Sequence, residues 1–154
     1  PRGKRLITGK NIVTTAGNIW YAQRAASETP TNIFTTLYLS LSVFSPAPSA
    51  ATHAGNITEV FTGGDKTHFT GYPKTNDIGD TDNTGDGLSV VSHKFFYERG
   101  DFTQTGVRGI SIGVAGTTFG GGSDPLLNAR NEAGFDKGAT DTLKVFINHT
   151  LLGV

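Results

Sequence analysis

Residues 37–44 read LYLSLSVF: Leu37, Leu39, Leu41 and Val43 alternate with Tyr38, Ser40, Ser42 and Phe44. A period of two places the two sets on opposite faces of an extended strand, because successive side chains of a strand point to opposite sides. In a helix the same leucines would be scattered around the axis. The stretch therefore predicts a strand over 37–44, with one face in a core and one face semi-polar. The prolines of SPAPSAATHAG (45–55) then end it in a loop.

The pattern recurs along the chain. LSVVSHKFFYE (88–98) predicts a long strand, and GVRGISIGV (106–114) sets Ile110, Ile112 and Val114 against Ser111 and Gly113. ITEVF (57–61) and KTHFT (66–70), separated by TGGD, predict a hairpin. After the glycine loop GTTFGGGSDP (116–125), LLNAR (126–130) predicts a short strand. DTLKVFINHTLL (141–152) predicts the last one, where Leu143, Val145, Ile147 and Leu151 alternate with Lys144, Phe146, Asn148 and Thr150.

One stretch reads as a helix. In TAGNIWYAQRAAS (15–27), Ile19, Ala22 and Ala26 share a face with Trp20 beside it, and Pro30 closes the region. A short N-terminal helix across one end of a sheet is expected. About eight strands without helical crossovers between them predict an all-β fold, an antiparallel β-sandwich of jelly-roll type. At 154 residues, one such domain over 11–154 preceded by a basic arm over 1–10 accounts for the chain.

Composition supports strands and turns: 21 glycines weaken helices, and the plentiful threonines fit a pleated surface. Thirteen basic residues balance thirteen acidic ones, so no net field gathers nucleic acid or an anionic membrane. Without cysteine there is no disulfide, thiolate catalysis or zinc–sulfur site. No apolar run has the length of a signal peptide or a membrane span. A chain opening on Pro1 fits removal of a start methionine and synthesis in a cytosol.

The stretch that looks most like chemistry is DIGDTDNTGDG (77–87). Asp80, Asp82, Thr84 and Gly85 follow the spacing of a calcium-binding loop, but its twelfth position is Val91, inside a predicted strand, where a bidentate Glu is needed. Loops of Asp, Asn and Gly are usually turns, so a polar connector is expected and no metal. His53, His68, His93 and His149 are too far apart in sequence for a local zinc motif. His93 and His149 fall in strands, where a half-exposed ring would serve. GGGSDP (120–125) lacks the strand-to-helix setting of a nucleophilic serine. Glu59, Glu98, Asp101 and Asp141 could be assembled into paired carboxylates, but any sandwich displays several such residues. A non-enzymatic protein without a cofactor is expected. Trp20, Tyr21, Tyr72 and Tyr97 are the candidate stacking platforms if the sandwich binds carbohydrate. The terminal PRGKRLITGK carries Arg2, Lys4 and Arg5, the residues expected to contact a partner.

The order of these segments resembles a family of small virion proteins of tailed bacteriophages. NIVTTAGNIWYAQRAA, LYLSLSVFSPAPSAATHAGNITEV and LSVVSHKFFYERGD match its opening, first strand and centre. GGGSDPLLNARNEAGFDKGATDTLKVFINHTL matches its ending, a glycine turn, a Leu-Leu-x-Ala-Arg strand, a lysine-containing turn and a final Asp-Thr-Leu strand. The resemblance spans roughly residues 11–152. It implies a structural protein of the phage particle, a capsid decoration or cement protein bound across major capsid protein subunits. A tail or fibre component and a host-recognising carbohydrate module are the alternatives. It also implies a trimer or dimer, and it carries no catalytic residues.

Overall fold

The structure, a computed structural model, describes residues 5–75 and 90–151. In chain order the elements are β1 (Ile12–Val13), α1 (Thr15–Ala25), β2 (Phe34–Ser40), β3 (Lys66–Thr67), β4 (Lys74–Thr75), β5 (Val90–Tyr97), β6 (Gln104–Val114), β7 (Leu126–Lys137) and β8 (Leu143–Thr150). All strand pairs are antiparallel. They form a five-stranded sheet ordered β1-β7-β6-β2-β3 and a three-stranded sheet ordered β4-β5-β8. The fold is all-β and sandwich-like, with one α-helix among the described residues, as the alternating segments predict.

The core lies between the sheets. Leu37 and Leu39 of β2 stand opposite Ile112 and Ile110 of β6, and Phe95 and Tyr97 of β5 face them from the smaller sheet. Leu37, Phe95, Tyr97 and Ile112 are fully buried. Each such side chain contributes about 1.5–3 kcal/mol by leaving water.

Strand β2 stops at Ser40, four residues short of the predicted end, and Leu41 and Val43 are exposed. The period of two overshoots because the chain then folds back over the outer face of its own sheet. Phe44, Ala54 and Ile57 pack there against Leu126 and Ala129 of β7. That cover buries Tyr38 and Ser40 as well, so the face read as semi-polar is also inside. A Cβ at Gly109 would collide with Ile57, which is why β6 carries a glycine beneath this loop.

The expected hairpin between ITEVF and KTHFT does not form. Val60 bridges Ser40, and Lys66 and Thr67 pair with Leu37 and Thr36. Both runs thus lie in succession along one edge of β2, joined by a turn closed by Gly64 N–H donating to the Phe61 carbonyl at 3.1 Å. The short strand read at LLNAR runs on for twelve residues to Lys137. Its second half pairs with the start of β6 through register shifts, and Gly134 supplies a φ of 116° there.

Helix α1 begins where predicted but buries a different face. Thr14 caps it by accepting from Gly17 N–H at 3.0 Å while its own hydroxyl donates to the Leu126 carbonyl. Gly17 lies so close to β7 that a Cβ would run into the Leu127 carbonyl. This pins the rotation of the helix. Trp20 and Tyr21 turn inward, whereas Ile19 is half-exposed and Ala22 and Ala26 face solvent.

Candidate functional site

Helix α1 touches β7 at Gly17 and turns Tyr21 toward the smaller sheet, across the gap between the two. The inner row of β5 reads Val91, His93, Phe95, Tyr97, and that of β8 reads Val145, Ile147, His149. Each row carries one imidazole among apolar groups. His93 is fully buried and His149 nearly so, contrary to the half-exposed rings expected from sequence. A buried polar group without a partner costs several kcal/mol, so both rings need one. Tyr21 is that partner: its hydroxyl bonds His93 Nε2 at 2.8 Å and also His149 Nδ1.

The chain of bonds extends at both ends. His93 Nδ1 meets His68 Nε2 at 2.9 Å, and His149 Nε2 meets Asn11 Oδ1 at 2.9 Å. The polarity follows from the last contact. An amide oxygen only accepts, so His149 Nε2 carries the hydrogen and its Nδ1 accepts from Tyr21. The Tyr21 oxygen then accepts from His93 Nε2–H, and His93 Nδ1 accepts from His68 Nε2–H. Each bond of the chain then has one donor and one acceptor with all three rings neutral. Burial agrees, holding His68 and His149 down at about 4 against the ordinary 6.5. His93 is also held well below its ordinary value, by burial first and then by the charges His149 and His68 would carry. Burial also pushes the Tyr21 phenol far above its ordinary range, so it titrates at no physiological pH.

His68 is half-buried, stacked on Phe95 with ring centroids 4.7 Å apart. Its backbone N–H donates to the Thr35 carbonyl of β2 at 3.1 Å, and the next residue, Phe69, donates to the Lys94 carbonyl of β5 at 2.8 Å. The segment after β3 therefore stitches the two sheets together at this corner. His68 also lines an open groove of about 560 Å³ with Trp20, Arg24, Ile33, Phe34 and Tyr72. The Arg24 guanidinium lies 5.7 Å over the Trp20 ring.

The remaining sequence candidates fall elsewhere. Arg5 is exposed at the start of a segment outside regular structure, while Arg2 and Lys4 lie outside the described residues. So does the stretch holding Asp80, Asp82, Thr84 and Gly85, although Val91 does sit in β5. His53 caps a short 3-10 turn at Ala54–Asn56, accepting from Gly55 N–H at 3.1 Å, apart from the other histidines. Of the four candidate stacking aromatics, Trp20, Tyr21 and Tyr97 are buried and only Tyr72 is partly exposed. An aromatic cluster unforeseen from sequence lies on the outer face of the smaller sheet. There the Lys94 ammonium sits 4.8 Å from the Phe69 ring and 5.2 Å from that of Phe146.

The histidine–tyrosine chain drew no signal from sequence, because its members are separated by 25 to 128 residues. Among the described residues no group of three or more His, Asp or Glu side chains is arranged to hold a metal ion; these imidazoles lie in series rather than around a point. Among the described residues no helix is long and apolar enough to cross a membrane. No family model, curated protein or solved structure matches the chain.

Proposed function

We propose that this chain is a non-catalytic structural protein of a tailed-phage virion, a decoration or cement protein that binds across major capsid protein subunits and stabilises the head. The observation that carries the reading is the N-terminal segment. From Arg5 to Lys10 every residue is exposed, Leu6 by 78%, and the segment leads into a two-residue strand at the edge of the larger sheet. Strand β1 pairs only with Asn128 and Ala129, so beyond Ala129 the twelve-residue β7 has no ladder on that side among the described residues. A segment outside regular structure, with exposed Leu6 and Ile7 beside an open strand edge, suits assembly by strand addition to a neighbouring subunit. Arg2, Lys4 and Arg5 give such an arm its charge, for an acidic surface on the capsid protein. Assembly of the chain as a trimer or dimer belongs to the same proposal.

Removal of residues 1–10 tests the reading. The truncated chain is expected to keep the native urea midpoint, since Arg5–Lys10 lie outside the core, and to lose at least tenfold in affinity for capsids from its own phage. Undiminished capsid binding would overturn the role of the arm. Copy number per particle, from quantitative mass spectrometry of virions, separates capsid from tail: hundreds place it on the head and a handful on the tail.

The exposed aromatic cluster around Lys94 favours a second reading, a host-recognition module that stacks sugar rings on Phe69 and Tyr72. Glycan binding by the isolated chain, lost in Phe69→Ala, would support that reading over cement.

A further inference from the structure

Among the described residues that line it, the groove beside α1 has a cation and no acid. Arg24 makes no ion pair among the described residues, and the walls from Trp20, Ile33, Phe34 and Tyr72 are apolar. At its edge stands His68, whose Nε2–H is committed to His93. By the polarity derived above, its Nδ1 is a bare acceptor. An acceptor would repel an anion, but the chain behind it can change that.

We propose that this groove binds a carboxylate-bearing ligand together with one proton, the carboxylate held by Arg24 and His68 Nδ1–H and the positive charge stored on His149. A proton arriving at His68 Nδ1 displaces the Nε2 hydrogen to His93 Nδ1. His93 passes its Nε2 hydrogen to the Tyr21 oxygen, and Tyr21 passes its own to His149 Nδ1. One proton has entered, His149 is an imidazolium, and every other member is neutral again. No hydrogen bond is lost, because each has only reversed its donor. His149 Nε2 still donates to Asn11, now as a charge-assisted bond. His68 has meanwhile become a donor toward the groove. A second proton has no such route, since two N–H groups would then oppose each other within the chain.

The surroundings explain why the proton needs the ligand. Around the chain, Lys10 adjoins Asn11, Arg24 lies one turn beyond Tyr21, and Lys66 precedes His68 and is paired with Asp101. Lys94 follows His93 but points to the opposite face of β5, Lys144 lies near the start of β8, and Arg130 is paired with Glu132 beside Gly9. Tyr97 on the inner row of β5 donates to the Gly64 carbonyl and stays neutral. Among the described residues no carboxylate bonds any member of the chain. Among the described residues, then, the proton's charge has no bonded carboxylate until an anion enters the groove. Burial keeps the empty chain neutral down to about pH 4, and a bound carboxylate raises its proton affinity.

Benzoate, a carboxylate on an apolar ring, is the probe. Calorimetry on the full chain between pH 7 and 5.5, in buffers of different ionisation enthalpy, should show about one proton taken up per benzoate. Affinity should rise by up to about tenfold per pH unit. Arg24→Gln should abolish binding at every pH. Tyr21→Phe cuts the relay and should leave binding that varies less than about twofold over the same range. On the native chain itself, benzoate should move the His149 Nδ1 nitrogen resonance into the protonated range at pH 6. Absence of benzoate binding, an unmoved His149 resonance, or full proton uptake in Tyr21→Phe would each overturn the proposal.

Discussion

Two regions of the interior meet within a few ångströms and are built on opposite terms. Around Leu37, Ile112 and Phe95 the space between the sheets is filled by apolar side chains that need only shape and exclusion of water. Around Tyr21 it is filled by rings whose nitrogens must each find a directed partner. The first region tolerates a volume-conserving swap of one residue for another. The second does not, because a buried imidazole left without a partner keeps its desolvation cost and loses the bond that offset it. The contrast also assigns roles: the apolar region holds the sheets together, and the polar seam fixes how α1 and Asn11 sit against them.

The comparison breaks most readily in the apolar region. Phe95→Ala, at a fully buried ring stacked on His68, is expected to cost about 3–5 kcal/mol in urea denaturation. A loss below about 1 kcal/mol would show that the smaller sheet lies outside the main core.

Between pH 7.5 and 4.5, acid should act chiefly on the polar seam. The histidines bind protons less readily in the folded chain than in the unfolded one, so stability is flat above about pH 6.5 and falls as the pH drops toward 4. For the buried His149 the displacement from 6.5 to about 4 amounts to roughly 3 kcal/mol. Urea midpoints between pH 7.5 and 4.5 measure it, and a pH-independent midpoint would mean that these rings are hydrated. The smallest effect tests the rotation of α1. Ile19→Ser, on its exposed face, should change stability by no more than about 0.5 kcal/mol, whereas a larger loss would restore the face expected from sequence.

The strands were legible to the extent that burial was one-sided. In β5 and β8 the alternating set Val91, Phe95, Tyr97 with Val145 and Ile147 is the inner row, as the pattern implies. In β2 the pattern overran its end, because the loop after Ser40 covers the outer face and buries both sides. Helix α1 was visible as an element over 15–27, but its Thr14 cap and its orientation were not. A contact 110 residues away, Gly17 against Leu127, sets which side chains turn inward. The candidate site was least legible. His93 and His149 looked like ordinary strand residues, and nothing local marks the Tyr21 hydroxyl as their shared partner.

By itself the sequence determined an all-β chain: alternating runs punctuated by glycine and proline, one short helix, balanced charge and no thiol chemistry. These are local matters, settled by side-chain period and backbone allowance within a few residues. Which edge of β2 takes the 57–67 segment, which face α1 buries and how His68, His93, Tyr21, His149 and Asn11 join into one chain were decided only by the tertiary structure. A directed hydrogen bond between residues far apart in sequence exists only once packing has brought both atoms within about 3 Å and excluded the water that would otherwise compete.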